Sequence, residues 1–326
     1  LSLLDRAIQR QGAYFFLAKT FAEGLSATVL AMAKELPVLE VVLPGEYDQD
    51  QAGAEHQDLF GFNVLPYAGV YLTHDGKLGG QIHQDLNSWY NAFEFMPSNE
   101  SGVPDHIATQ LEFLAFLSGL DVKSHKASPT EIANATIQYQ QGEFLGNQVV
   151  TWIFPFLMAL KGQNNPFYRE IAELTEALVI SHCIDVGLHR ETAFSLPAIH
   201  DILSEKKTGL KDIAAFLCRP AHSGIYLSRT DIKRIAGSLE IPTGFGDRVQ
   251  TLSNTLRSAV TFDTLPSLIN QLRDRVLFFK RGYEGLHEST SEGLNQVAQQ
   301  WILRAGGTLN VLDDLDAELV KLTHAD

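Results

Sequence analysis

The chain has 326 residues, 45% apolar and 20% charged, enough to bury one large or two ordinary cores. Thirty-nine acidic against 25 basic residues give a net charge of −14, which disfavours nonspecific binding to DNA or to anionic membranes. The acidity is uneven. Residues 1–200 hold 23 acids and 10 bases (net −13), 201–290 hold 10 and 13 (+3), and 291–326 hold 6 and 2 (−4). A partner for the first two hundred residues is therefore expected to be cationic rather than anionic.

Helical periodicity dominates. Leu4, Ile8, Phe15, Ala18 and Phe21 predict a first helix that Gly24 stops. Ser26 is expected to cap a second helix running to about Leu36, where Pro37 ends it. Residues 37–66 read as irregular, and the short run Leu39 to Leu43 is discounted as a strand because one strand makes no sheet. Further helices are expected at about 80–95, 104–119, 128–143, 146–162 and 166–189, with Pro166 in a first helical turn. Residues 190–209 break the pattern where the charge balance changes sign, so a domain boundary is expected there. Beyond it, Ser228 and Asp231 approximate a capping box, Ile241 to Gly246 is a turn, and helices follow at about 247–260, 265–282, 289–304 and 307–322. The expected fold is all-α, with a domain over 1–195 and a second, smaller helical domain over 196–326.

Cys183 and Cys218 cannot build a disulfide framework, which favours a reducing compartment. Asp5, Arg6 and Arg10 interrupt the first residues, so no secretory leader is read there. The longest apolar run, Val149 to Leu160, is shorter than the ~20 residues a membrane span needs. A cytoplasmic protein without stable membrane insertion is expected.

Familiar catalytic signatures are largely absent. Gly244-Phe245-Gly246 follows a helix and lacks a third glycine, so it reads as a turn rather than a dinucleotide loop. Ser204 to Lys207 fits S-x-x-K formally, but nothing there buries the lysine. His182, Asp185 and His189 fall on one predicted helix face, which suits either a metal-dependent hydrolase or a helix end carrying two histidines. Residues 211–260 have a helix-turn-helix flavour with Arg248 and Arg257, the basis of an alternative reading as a nucleic-acid-binding regulator.

The sharpest group is Gly102-Val103-Pro104-Asp105-His106-Ile107, followed by Leu111 to Leu117. Pro104 would fix a first helical turn, Asp105 would meet the helix dipole, and His106 would sit beside it on an exposed helix end. A well-made helix start also explains these residues, and physics alone favours that reading. Upstream lie Leu59-Phe60-Gly61 and then Leu65-Pro66-Tyr67-Ala68-Gly69-Val70-Tyr71, in which Tyr67 and Tyr71 would share one face of a short helix. Trp89, Tyr90 and Phe93 add aromatics that suit either a peptide groove or a core.

The order of these motifs resembles the TorD/DmsD/NarJ family of cytoplasmic molybdoenzyme maturation chaperones. The resemblance continues through Phe144, Trp152-Ile153-Phe154-Pro155 and Asn165-Pro166-Phe167-Tyr168, and covers about residues 5–190. It implies an all-helical fold, no catalysis and no assigned cofactor. It also implies a partner, a molybdopterin oxidoreductase whose twin-arginine signal peptide is bound so that export waits for cofactor insertion. The family's Asp-His pair falls on Asp105 and His106 and its Pro-Tyr element on Pro66 and Tyr67; Tyr71, Trp89, Tyr90 and Gln110 complete the expected peptide-binding set. Ala68-Gly69 replaces a common Glu-Ser, and Gln110 replaces a frequent Glu. Homodimers occur in the family. The segment after about residue 200 exceeds the usual family length and reads as an appended module of unassigned role.

Overall fold

Sixteen α-helices and no strand make up the described residues of a computed structural model of the chain; these are 2–98, 102–127, 131–188, 195–198, 202–204, 208–287 and 291–323. The all-α expectation holds. Among the described residues no single helix is long and apolar enough to cross a membrane, and the pair Ala135–Val149 and Ile153–Lys161, which together have the length, bends by 61°. The chain divides into two compact units. The first comprises Leu1–Gly69, Leu78–Phe194 and Thr290–Leu294; the second comprises Val70–Lys77, Ser195–Ser289 and Asn295–Asp326.

The first unit is built on α1 (Leu3–Glu23) packed along α7 (Ile107–Ala127). Ser2 and Asp5 form a capping box at the start of α1, and Gly24, at φ +68°, ends it. Ser26 caps α2 (Ala27–Ala33), and Pro37 opens α3 (Pro37–Glu40) rather than only ending its predecessor. The segment read as irregular holds α4 (Gln49–His56) and a π-helical turn, Gln57–Asn63. α4 buries no residue, so it has no apolar stripe for periodicity to detect. Its start is fixed by Asp48, whose side chain accepts from the Asp50 and Gln51 amides. Within the π turn Val64 N–H donates to Leu59 O, and Leu59 and Phe60 are buried.

After α5 (Ala68–Leu72) come α6 (Gln81–Ala92), α7, α8 (Glu131–Phe144), α9 (Ile153–Lys161) and α10 (Pro166–Asp185). The helix expected over 146–162 is broken. Leu145–Val149 forms a second π turn, Trp152 leaves helical geometry, and Pro155, which has no N–H to donate, stands in the first turn of α9. Asn165 caps α10 through the Tyr168 amide, with Pro166 at its first position. Trp152, Tyr14, Phe21, Phe113, Phe144, Phe156 and Tyr168 are the largest side chains closed off from water in this unit.

The second unit contains α11 (Leu210–Leu217), α12 (Pro220–Ser223), α13 (Arg229–Ser238), α14 (Arg248–Thr261), α15 (Leu265–His287) and α16 (Glu292–Thr323), the last belonging to it from Asn295 onward. The capping box of Ser228 and Asp231 forms as expected. Asp231 is buried and also holds Arg234 at 2.9 Å and Arg275 at 3.1 Å. The two helices expected over 289–304 and 307–322 are one. Gly306 and Gly307 each cost a helix about 1 kcal/mol. Trp301, Ala305, Thr308 and Leu312, buried on both sides of the pair, outweigh that cost.

Gly224 ends α12 at φ +71°, where α16 comes so close that a Cβ would lie 2.5 Å from Ala305 N and 2.7 Å from Arg304 Cβ. Gly224→Ala is expected to destabilise the protein by about 3 kcal/mol through left-handed strain and overpacking. Gly285→Ala, at an exposed position of α15 with open space at its Cβ, is expected to stabilise it by about 0.5–1 kcal/mol. Denaturant titration of both variants checks the contrast.

Candidate functional site

Two short segments meet at the start of α7. Ala68 N–H donates to Asp105 O (3.0 Å) and Ile107 N–H donates to Pro66 O (2.9 Å), so Tyr67 and His106 form an isolated antiparallel bridge. The helix therefore begins at Ile107, after Asp105 rather than before it. Asp105 is fully buried. Its Oδ2 accepts from the Gly69 amide at 3.0 Å and its Oδ1 accepts from His83 Nε2 at 2.6 Å. A carboxylate out of water requires such partners, and the His83 bond is charge-assisted when the imidazole is protonated. Asp105 thus fastens the 66–69 segment and α6 to the head of α7.

His106 is not on an exposed helix end: it is 8% exposed. Its Nδ1 accepts from the Ala108 amide at 3.1 Å, which puts the ring proton on Nε2. The ring meets Tyr67 edge to face, with centroids 5.0 Å apart. Burial, and then the nearby His56, push the His106 imidazole down to about 4. Burial and the Asp105 charge raise the Tyr67 phenol.

Gln110 is fully buried; its Oε1 accepts from Trp152 Nε1 at 3.1 Å and its amide reaches Asp105 O at 3.4 Å. Tyr90 is buried and donates to Pro104 O at 2.9 Å. Trp89 is half-buried, stacked on Phe93 and edge-on to Phe144. Trp89 and Tyr90 therefore join Phe93, Phe95, Phe113 and Phe144 in an aromatic cluster. Pro66 is buried and Tyr67 half-buried. Asp105, His106, Pro66, Tyr67, Tyr90 and Gln110 are thus brought together, with Trp89 beside Tyr90. Tyr71 is not with them. It is fully buried in the second unit, stacked on Tyr226 with centroids 5.3 Å apart.

His106 also lines a cleft of about 630 Å³ whose apolar wall is Phe15, Ala18, Phe21 and Ala22 of α1. Lys19, Glu23, His56, Ser98, Ala108 and Glu112 complete it. Lys19 and Glu23 are ion-paired, and Glu112 accepts from the Ser98 amide at 3.0 Å. His56 donates from Nε2 to Phe21 O at 3.1 Å, and burial lowers its imidazole. Phe15, 44% exposed, is the accessible aromatic of this wall. The sequence reading missed the cleft, although Phe15, Ala18, Lys19, Ala22 and Glu23 recur at the spacing of one helix face. His83 carried no sequence signal beyond its residue type.

The helix-face histidine is otherwise employed. His182 is fully buried; its Nε2–H donates to Gln141 Oε1 at 2.8 Å and its Nδ1 accepts from Tyr14 at 2.9 Å. Gln141 donates in turn to Leu117 O, which fixes these directions. Asp185 holds Arg6 at 3.0 Å and Arg10 at 2.5 Å. His189 lies outside the described residues. His182 therefore has no lone pair left for a metal, and among the described residues no group of three metal-ligating side chains occurs. Arg248, expected on a recognition helix, lies over the Tyr226 ring at 4.2 Å and donates to Leu227 O. It is not presented to a groove.

A histidine whose native imidazole sits near 4 takes up its proton in the unfolded chain first, so stability present above pH 6.5 is lost as pH falls toward 4. His106 alone is expected to remove about 3 kcal/mol across that window. His182, also lowered by burial, adds in the same direction. Urea titrations at pH 7 and 4.5 check this, with His106→Gln losing less stability than the parent over the same interval.

Residues 20–158 match the family model described as "Nitrate reductase delta subunit". Among curated proteins the chain is similar to Chaperone protein TorD of Vibrio vulnificus strain YJ016, with 27% identity over 33% of this chain and 51% of that protein. It is also similar to Chaperone protein TorD of Vibrio cholerae O395, with 28% identity over 51% of this chain and 79% of that protein. The chain spans about half the length of the Vibrio vulnificus relatives it matches. No solved structure matches it. The relatives are named as chaperones, not as enzymes, and the matched segment contains the 66–69 segment, the Asp105 anchor and most of the cleft. Through these residues the chain is similar to proteins of the TorD/NarJ family.

Proposed function

We propose that the chain is a cytoplasmic, non-catalytic maturation chaperone that binds the twin-arginine signal peptide of a molybdopterin oxidoreductase, or its folding apo-form, and delays export until the cofactor is inserted. Residues 1–195 would form the chaperone domain and residues 196–326 an appended helical domain. The observation that carries the reading is the cleft beside His106. Its apolar wall, Phe15, Ala18, Phe21 and Ala22, suits the hydrophobic stretch of a signal peptide. Glu23 and Glu112 stand beside that wall, within the first two hundred residues that carry a net charge of −13, where a basic peptide end would be attracted. His106 Nε2–H, with no partner among the described residues, is a donor for a peptide carbonyl. Asp105, closed off from water, supports this reading as the group that holds His106 and Tyr67 in place rather than as a direct ligand of a peptide arginine.

A synthetic twin-arginine leader titrated calorimetrically is expected to bind, with affinity falling as salt rises from 50 to 500 mM because exposed charge contacts are screened. Phe15→Ala is expected to weaken binding about tenfold by removing roughly 1.5 kcal/mol of apolar burial, with little change in thermal stability because Phe15 is already part-exposed. Absence of binding by any leader from a molybdopterin oxidoreductase would sink the reading.

A further inference from the structure

We propose that the groove between α13 and α15 binds a partner peptide through one acidic side chain set among apolar ones, the carboxylate meeting Arg234 and Arg275 and its apolar neighbours lying on Ile235 and Phe278. The groove is built within the second unit alone, outside the residues 20–158 that match the family model, and it does not rest on the twin-arginine reading.

Asp231, Arg234, Ile235 and Ser238 stand at i, i+3, i+4 and i+7 on α13, and Gln271, Asp274, Arg275 and Phe278 repeat that spacing on α15. Each set therefore shares one helix face, and the two faces enclose a cleft of about 380 Å³. Bonds between the helices mark its two ends. Gln271 Nε2 donates to Ser238 Oγ at 2.7 Å, and Arg275 Nη2 donates to Asp231 Oδ2 at 3.1 Å. The span from Asp231 to Ser238 rises about 10 Å, the length of about three extended peptide residues. Asp231 is the shared counter-ion of both arginines, with Oδ1 on Arg234 and Oδ2 on Arg275. Its Oδ2 also accepts from the amide and hydroxyl of Ser228, the bonds that start α13. One carboxylate, already committed to the cap, thus faces two guanidiniums. Arg275 is the costlier of the two to leave so. Its side chain is 11% exposed, it lies 4.9 Å from the Phe278 ring centre, and its Nε has no partner among the described residues. Burial pulls this guanidinium below its ordinary value, with Asp231 opposing the shift and Arg234 adding to it. Arg234, with a side chain 55% exposed, is the reachable donor. An incoming carboxylate neutralises the second cation and accepts charge-assisted bonds from a planar fork. Ile235 and Phe278, each half-buried, offer apolar surface beside it. Asp274, exposed on the rim, repels a second acid, so the groove suits one acid between apolar residues rather than an acidic run.

Nuclear magnetic resonance of the full chain, with isotope-labelled arginine side chains, reads the groove directly. The capped tripeptide acetyl-Leu-Glu-Leu-amide at millimolar concentration is expected to shift the Arg234 and Arg275 Nε–H signals. Acetyl-Leu-Gln-Leu-amide is expected to bind about tenfold more weakly, because the bond it loses is the one to a charged acceptor. Acetyl-Glu-Glu-Glu-amide is expected to bind more weakly than the Leu-Glu-Leu peptide despite its greater charge. Arg234→Gln leaves Arg275 on Asp231, and is expected to cut affinity for the Leu-Glu-Leu peptide about fivefold with little change in thermal stability. The peptide comparisons on the parent protein decide the matter even if that variant does not fold. No shift with the Leu-Glu-Leu peptide, or equal binding of the Glu and Gln peptides, would overturn the proposal. Tighter binding of the triple-Glu peptide, or of acetate alone, would overturn it as well, since either marks a general attraction for anions.

Discussion

A carboxylate sealed from water organises the first unit around it. Asp105 has no exposed surface, and an unpaired ion there would cost several kcal/mol. The cost is offset only if Gly69 brings its amide and His83 its imidazole to the two oxygens. Meeting that demand folds the 66–69 segment back on the start of α7 and brings α6 alongside. Ala68 and Ile107 then close the bridge between the two strands of backbone. His106, the neighbour of Asp105, is left with Nδ1 satisfied locally and its ring against Tyr67. The cleft-facing donor is thus a by-product of satisfying the buried charge next to it.

The helical class, the caps at Ser26 and Ser228 and the helix start at Pro166 were legible in the sequence, because each is a local signal. Side-chain direction was not. The P-D-H-I element looks the same whether its aspartate faces water or the interior. Only the amide of Gly69 and the ring of His83, 36 and 22 residues away, decide it. Helix α4 was hidden because it buries no residue fully, and a helix with no buried face leaves no period. The Gly306-Gly307 pair misled in the opposite direction. Local propensity called for a stop, and the burial of Trp301 and Leu312 overrode it.

Aromatic residues carried the same ambiguity. Trp89 and Tyr90 suit a groove or a core by type, and they pack with Phe93, Phe95, Phe113 and Phe144 at centroid distances of 5.1–6.4 Å. That cluster gives the head of α7 a rigid bed, and Tyr90 extends it by bonding Pro104 O. The accessible aromatic of the cleft wall is Phe15, on α1. Beside Ala18 and Ala22, part-exposed Phe15 gives the cleft its apolar wall.

The backbone bonds that hold the 66–69 segment to the start of α7 bear on how such a site would bind. A flexible peptide must lose conformational freedom on docking, about 1–2 kcal/mol per ordered residue. A site that also had to order its own backbone would add to that loss. Here Tyr67 is preceded by a proline and followed by two amides bonded to Asp105. The segment has little freedom left to lose, so the energy of contact goes to the peptide alone.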